Sequence, residues 1–426
     1  MDGSSRDKQG AAGRAAATNG GQTASGARPG FRDATKAVAG GRRPEMQGGA
    51  VNPPIYRAST IVSSSLADLR ARNRIRPGDG LTYGVHGTPG TFAFEEALAE
   101  LEGGWRTRLC STGLTAATAP LLCYLNGGDH LLMTDSVYGP TRSFCDGMLR
   151  RLGIETTYFD PLIGVGLRDL IRPNTRVVYL ESPGSWTFEV QDTPTLAAIA
   201  NEAGCWTMLD NTWASPLYFK PFEHGVDVSI QAATKYIAGH SDLLLGAVTT
   251  TEAAYPKLQK GWQDLGLSAA PDDVFNAMRG LRTMPTRLAR HWENGLRVAE
   301  WLARQPEVED ILHPALPHDP GHALWRRDFR GASSLFGFIL SPSYSDERRL
   351  AALLDDLELH AMGYSWGGFE SLLIPVDPAR IRTAGAWPRA PRPQGQVMRI
   401  HVGLEDPDDL IDDLAAGFDR MRRLRL

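Results

Sequence analysis

Lys235 closes an apolar, β-branched run, Val226 to Ala233, and is flanked by a threonine and an aromatic residue; the small, flexible Gly239-His240-Ser241 follows. The run reads as a buried strand, so Lys235 leaves the end of a sheet with its amine directed inward. A buried amine gives up its proton more readily than a solvated one, and the neutral amine is a nucleophile. Two further stretches, Val177 to Glu181 and Trp206 to Asp210, each read as an apolar strand ending in an acid. The carboxyl ends of strands are where an α/β sheet presents ligand-binding groups, so Asp210 and Lys235 are expected to share one crevice. A lysine for a Schiff base and a carboxylate for a pyridinium nitrogen are the pair that pyridoxal phosphate chemistry requires. Arg399 lies in Val397 to Val402, where strand alternation puts it on one face with His401. A guanidinium there suits bidentate capture of a carboxylate.

These groups need elements to hold them. The Gly- and Pro-rich stretch Leu81 to Gly90 carries Tyr83 in a loop, where functional side chains concentrate. A helix follows with the apolar face Phe94, Ala97, Leu98 and Leu101, closed by Gly103-Gly104. Cys110 to Gly113 sets small residues ahead of an Ala-rich helical run, whose free backbone N–H groups would form an anion site. Taken alone, that stretch reads as an ordinary capped helix. His130 to Thr134 is a short buried strand, and the turn after it puts Tyr138 on a strand's carboxyl edge, where a planar cofactor could be stacked. The alternation continues through a helix with Thr193 as N-cap and Pro194 at N1, stopped at Gly204. It predicts an α/β fold with a mainly parallel sheet and flanking helices. Beyond Arg279 to Arg282 come a long helical run through Trp301, strands such as Leu335 to Leu340, and a final helix from Pro407. That pattern is a smaller α/β domain.

Asp227 to Ser241 resembles the attachment signature of the Cys/Met-metabolism pyridoxal phosphate family, and the likeness runs in order from about Thr35 to the C-terminus. Glu181 to Trp186, Tyr364 to Gly368 and Arg399 to Asp406 are most similar to its cystathionine β-lyase branch. The resemblance implies an aspartate-aminotransferase-like (type I) fold. It also implies an arm over residues 35–87 contacting a neighbouring subunit, a cofactor domain over 88–282, a C-terminal domain over 283–426, and a homotetramer of active-site-sharing dimers. Its implied site has Lys235 as the Schiff-base lysine, Asp210 at the pyridine nitrogen, Tyr138 over the ring, and Gly113 and Leu114 in the phosphate cup. Thr234 and Tyr83 join the cofactor set, Tyr83 and Tyr138 also being catalytic, while Arg399, Ser365, Trp366 and His86 meet the substrate.

The reaction so implied is β-elimination of L-cystathionine to homocysteine, pyruvate and ammonia, a step of methionine biosynthesis. A β-lyase for cysteine or an S-alkylcysteine, and a γ-synthase or γ-lyase of the same family, are the other readings. Trp366 and Ser185 favour β chemistry, since relatives working at Cγ carry a small aliphatic residue and an asparagine there. A non-catalytic scaffold on the same fold would be signalled by loss of Lys235, Asp210 or Arg399, and all are present. The sequence departs from the family at Val85-His86, where relatives commonly have two arginines. Another cation is therefore expected at the phosphate across the subunit boundary, with Arg57 a candidate.

The chain's 426 residues, 42% of them hydrophobic, can bury a large core. A formal charge of −4 gives no strong basic field for nucleic acid, and Arg422, Arg423 and Arg425 read as a solvated helix end. Cys110, Cys123, Cys145 and Cys205 show neither a C-x-x-C pair nor the density of a secreted scaffold, so free thiols in a reducing compartment are expected. No run of about 18 apolar residues marks a membrane span, and the polar start has no signal-peptide core. The cytoplasm is the expected location. Residues 1–34, rich in Gly, Ala, Ser and Arg, are expected to be a disordered tail, because they bury too little to offset the entropy of ordering.

Overall fold

Strands β1 (Arg106–Cys110), β2 (His130–Thr134), β3 (Glu155–Phe159), β4 (Thr175–Glu181), β5 (Trp206–Asp210), β6 (Val228–Gln231) and β7 (Gly246–Thr250) form one sheet, in the order β1-β7-β6-β5-β4-β2-β3. The computed structural model describes residues 30–388 and 392–424. The expected tail therefore falls mostly outside the described residues, and a helix, Asp33–Ala39, begins within its last positions. From β3 to β6 the pairings are parallel, and β7 runs antiparallel to both β6 and β1.

The central strands β2, β4 and β5 carry apolar runs because both faces of the sheet are covered there. Side chains alternate between faces, so Leu132, Val178, Leu180 and Leu209 enter one core cluster and Leu131, Met133, Val177, Tyr179 and Met208 enter another. Each such side chain contributes about 1.5–3 kcal/mol by leaving water. The helix Pro89–Glu102 buries Phe94, Ala97, Leu98 and Leu101 as its periodicity predicts, and Gly103 ends it in a left-handed conformation with φ 78°. The helix Thr193–Glu202 is capped one residue earlier than the sequence reading had it. Asp192 is the N-cap, held by the Thr195 hydroxyl at 2.9 Å and by Arg327 at 2.6 Å, which leaves Thr193 free to enter the helix.

The second sheet is antiparallel: β8 (Val308–Leu312), β9 (Leu335–Leu340), β10 (Leu372–Val376) and β11 (Val397–His401), ordered β10-β11-β9-β8. The final helix, Pro407–Arg423, covers it with Leu410, Leu414 and Phe418. One helix, Pro271–Leu302, serves both sheets and runs unbroken through residue 282, where the sequence pattern changes. Its first half sends Val274, Ala277 and Leu281 under the Lys235 segment, and its end sends Val298 and Leu302 into the core of the smaller domain.

The chain between β10 and β11 crosses back to the larger sheet. The backbone N–H groups of Thr383 and Ala384 donate to the Asp135 carboxylate at 2.9 and 2.8 Å, and Arg382 pairs with Glu189. Asp135 is fully buried and stands three residues before Tyr138, so this strap braces the turn that carries Tyr138.

Candidate active site

The ends of β4, β5 and β6 open on a cavity of about 400 Å³, closed on its far side by Tyr364, Ser365, Trp366 and Arg399 of the smaller domain. After β6 the chain turns tightly, with Lys235 N–H donating to Ala232 and Gly239 N–H donating to the Lys235 carbonyl at 2.8 Å. This turn delivers the Lys235 amine into the cavity, where Nζ lies 2.5 Å from Ser365 Oγ and 5.1 Å from the centre of the Trp366 ring. Burial, and next the positive charge of Arg399, bring the amine down to about 8, against the pull of Asp210. A neutral, nucleophilic amine is therefore accessible near neutrality.

Asp210 ends β5 and accepts both the backbone N–H and the hydroxyl of Thr212 on Oδ1, at 3.0 and 2.5 Å. The Thr212 hydroxyl in turn accepts the N–H of Ala232 at 2.9 Å, tying the end of β5 to the approach of Lys235. Burial raises the Asp210 carboxyl above its ordinary range, while the Thr212 bonds and Lys235 oppose that rise. Glu181 ends β4 as Asp210's partner in register. Its carboxyl accepts the Tyr138 N–H at 2.7 Å and meets the Ser185 hydroxyl at 2.5 Å. Burial and the neighbouring Asp210 push it up to about 8.

Gly113 and Leu114 open the helix Gly113–Tyr124, whose N-cap Thr112 accepts the Thr115 N–H at 3.0 Å. The first N–H groups of a helix have no partner within it, and here they border the cavity. Glycine is required at 113, because a Cβ would stand 2.5 Å from that of Ala232. Tyr138, half-exposed, and Thr234 line the same space. Arg399, from β11, donates to the carbonyls of Ser365 and Gly363 at 3.1 and 3.3 Å and has no carboxylate partner among the described residues. Burial lowers it to about 10. Behind it the fully buried His401 stands 3.1 Å from both the Gly367 nitrogen and the Gly368 carbonyl oxygen, holding the loop that carries Ser365 and Trp366.

These residues fit pyridoxal phosphate: an amine, a carboxylate on the adjacent strand, an aromatic at the rim, and a helix start whose free N–H groups border the cavity.

Of the residues expected at the site, Lys235, Asp210, Tyr138, Gly113, Leu114, Thr234, Ser365, Trp366 and Arg399 line this one cavity. Tyr83 and His86 do not line it. They sit together on the arm, ring centres 5.8 Å apart, with His86 Nδ1 3.0 Å from the Thr82 hydroxyl. Arg57 is exposed and forms a two-pronged pair with Asp272 at 2.6 and 2.9 Å. Lys235 and Arg399 are the only cations among the described residues that line the cavity. Sequence reasoning did not assign Thr212, Trp213, Tyr364 or Glu181 to the site. Proximity to Asp210 or Trp366 in the chain was the available signal for the first three, and the strand-ending acid for Glu181.

The fold and cavity together define a pyridoxal phosphate-dependent enzyme of aspartate-aminotransferase-like architecture. The model of the Cys/Met metabolism PLP-dependent enzyme family matches residues 34–419, and the chain belongs to that family. It is 46% identical to a putative cystathionine beta-lyase of Rhizobium johnstonii over 87% of this chain and 91% of the relative. It is 42% identical to the cystathionine beta-lyase MetC of Escherichia coli K12, over 91% and 98%. A solved cystathionine gamma synthase of Xanthomonas oryzae pv. oryzae, in complex with aminoacrylate and cysteine, superposes with a TM-score of 0.83 at 31% identity, covering 92% of this chain and 99% of that one. The family match and these relatives make the chain a pyridoxal phosphate-dependent carbon–sulfur lyase. Among the described residues, no helix is long and apolar enough to cross a membrane.

Proposed function

We propose that this enzyme cleaves the Cβ–S bond of L-cystathionine, releasing homocysteine, and that water then hydrolyses the remaining three-carbon fragment to pyruvate and ammonia, as in methionine biosynthesis. The observation that carries the reading is the convergence of Lys235, Asp210, Tyr138 and Arg399 on one cavity whose far wall is Trp366. Bound pyridoxal phosphate supplies an electron sink for negative charge at the substrate's Cα. Arg399 binds the α-carboxylate. Lys235, held by Ser365, takes the Cα proton and returns a proton to the departing sulfur. With the cofactor bound, Asp210 would hold a proton at the ring nitrogen, Tyr138 would pack on the ring, and Gly113, Leu114 and Thr234 would receive the phosphate. Trp366, an indole 5.5 Å from Tyr236, narrows the conformations open to the substrate's arm and so favours departure from Cβ.

Product analysis tests this, with cystathionine, cysteine and O-succinylhomoserine offered separately. Pyruvate with homocysteine from cystathionine is the expected result, and 2-oxobutyrate would overturn it. A second reading, β-elimination from cysteine or an S-alkylcysteine, is favoured by Val85, which stands where relatives commonly carry an arginine and offers no cation for the distal carboxylate of cystathionine. Cysteine turned over in preference to cystathionine would decide for it.

The assembly that suits this reading is a homotetramer in which the arm over 35–87 brings Tyr83 and His86 to a neighbour's cavity. The strongly exposed Val62 and Leu66 on that arm support it. The four free cysteines suit a reducing cytoplasm.

A further inference from the structure

The Glu181 carboxyl takes part in no step described above, yet it ties two segments of chain together at the strand ends. It is buried, stands beside Asp210 in the β4–β5 register, and binds two cavity-lining residues from different segments of chain. The Tyr138 N–H reaches Oε2 at 2.7 Å and the Ser185 hydroxyl reaches Oε1 at 2.5 Å. Its own N–H is fixed by Gln191 Oε1 at 3.1 Å, so the strand end cannot swing. We propose that Glu181 is a positioning residue for this active site, a single carboxyl that fixes Tyr138 and Ser185 against the cavity while leaving Asp210 to face the cofactor's ring nitrogen.

The strap on Asp135 braces the turn before Tyr138, and the Ser185 N–H joins it through the Ser136 carbonyl at 2.8 Å; the Glu181 carboxyl adds the bond that reaches Tyr138 itself. Tyr138 precedes the short helix Gly139–Phe144 with no side-chain cap, and its ring is half-exposed, so the bond from its own N–H to Glu181 pins this residue within the turn. Ser185 sits in the loop after β4, whose neighbours Trp186 and Phe188 have φ of 66° and 54°. Such a loop keeps its shape only when surrounding bonds over-determine it. Two buried carboxylates side by side repel, and a proton on Glu181 removes the repulsion while keeping both contacts. Glutamine is the nearest mimic of that protonated acid, since its carbonyl accepts the Tyr138 N–H and its amide donates to Ser185.

The inference rests on the reading of this cavity as the cofactor site, and the test separates the two. Full-length wild type, Glu181→Gln, Glu181→Asp and Glu181→Ala are stripped of cofactor and titrated with pyridoxal phosphate, following quenching of the tryptophans that line the cavity, Trp186, Trp213 and Trp366. Thermal melts of the stripped proteins check folding. Glu181→Gln is expected to bind like wild type. Glu181→Ala leaves the Tyr138 N–H and the Ser185 hydroxyl without their partner and is expected to bind about tenfold or more weakly. Glu181→Asp keeps a carboxyl but withdraws it by a methylene, and is expected to behave like Ala even if Ala fails to fold. Gln as defective as Asp or Ala, or Asp equal to wild type, would overturn the proposal. Failure of wild type itself to quench, or to be reduced onto Lys235 by borohydride, would instead overturn the cofactor reading of the cavity.

Discussion

Lys235 Nζ and Ser365 Oγ lie 2.5 Å apart although 130 residues separate them in the chain. Ser365 reaches that point at φ 77°, a conformation that a residue with a Cβ adopts at a cost of about 1–2 kcal/mol. Gly367, two residues on, has φ 86°, and any Cβ there would stand 2.9 Å from the Lys235 backbone. The Lys235 amine is therefore aimed by the smaller domain as much as by the strand that precedes it.

Replacing Lys235 by alanine is expected to leave the fold intact, because Nζ contacts a hydroxyl and a ring face and supports no core cluster. The mutant should lose its borohydride-reducible link to the cofactor, and turnover should fall by at least about a thousandfold. Mass spectrometry after reduction reads the first and a pyruvate assay the second; a mutant that remains both linked and active would remove Lys235 from its role.

Capture of pyridoxal phosphate by the stripped enzyme should accelerate as pH rises through about 8, since only the deprotonated Lys235 amine attacks. Arg399 is among the causes that lower the amine, so Arg399→Gln should move the midpoint to higher pH. Asp210 acts in the opposite sense, so Asp210→Asn should move it to lower pH. Stopped-flow absorbance across pH 6–10 measures all three proteins, and coincident midpoints would show that neither charge acts on the amine.

His86 tests the departure from the family pattern on the arm. Burial and nearby Arg108 lower its basicity, so it is largely uncharged at neutral pH and offers hydrogen bonding more than charge. If it reads the distal carboxylate of cystathionine in an assembled oligomer, His86→Ala should raise KM for cystathionine by about three- to tenfold, the weight of one hydrogen bond, and leave cysteine nearly unaffected. Equal losses for both substrates would exclude that role.

A stability prediction concerns Asp413 on the final helix. Its carboxylate accepts the backbone N–H groups of Glu358, Leu359 and His360 at 2.8, 3.1 and 3.0 Å and pairs with His360 Nδ1 at 2.9 Å. Burial works against the ionised form, but these bonds outweigh it and hold the carboxyl at about 2. A folded value below the unfolded one means stability that is present above about pH 4 and is lost as pH falls toward 2. Asp413→Ala should cost roughly 2 kcal/mol at neutral pH, read by urea unfolding, and the deficit should shrink in acid. A constant deficit down to pH 2 would count against it.

What could be read from the chain and what could not divide along physical lines. Lys235, Asp210 and Arg399 were legible because each ends or interrupts an apolar strand, where a charge is costly without a purpose. The helix Pro89–Glu102 was legible from its period and its terminal glycine. The contacts of Glu181 were not, because a strand-ending acid does not say which loops will return to it. Nor was the strap between β10 and β11, whose hold on Asp135 joins residues 248 apart in a stretch without periodicity. The N-cap at Asp192 was misplaced by one residue because Asp192 and Thr193 are both capping types and only the contacts of Asp192 choose between them.

The long helix Pro271–Leu302 and the late position of β11 carry a consequence for synthesis on the ribosome. Every strand of the larger sheet has been made once Thr250 emerges, so the helix start at Gly113 and the carboxylate of Asp210 can take their places early. The tether of the lysine and the arginine opposite it come only with the last part of the chain, and β11 lies between β9 and β10 in its own sheet. A nascent chain can thus lay down the strand ends that border the cavity before it has the tether of Lys235, the guanidinium of Arg399 or the strap behind Tyr138, and the cavity is complete only when the protein is all but finished.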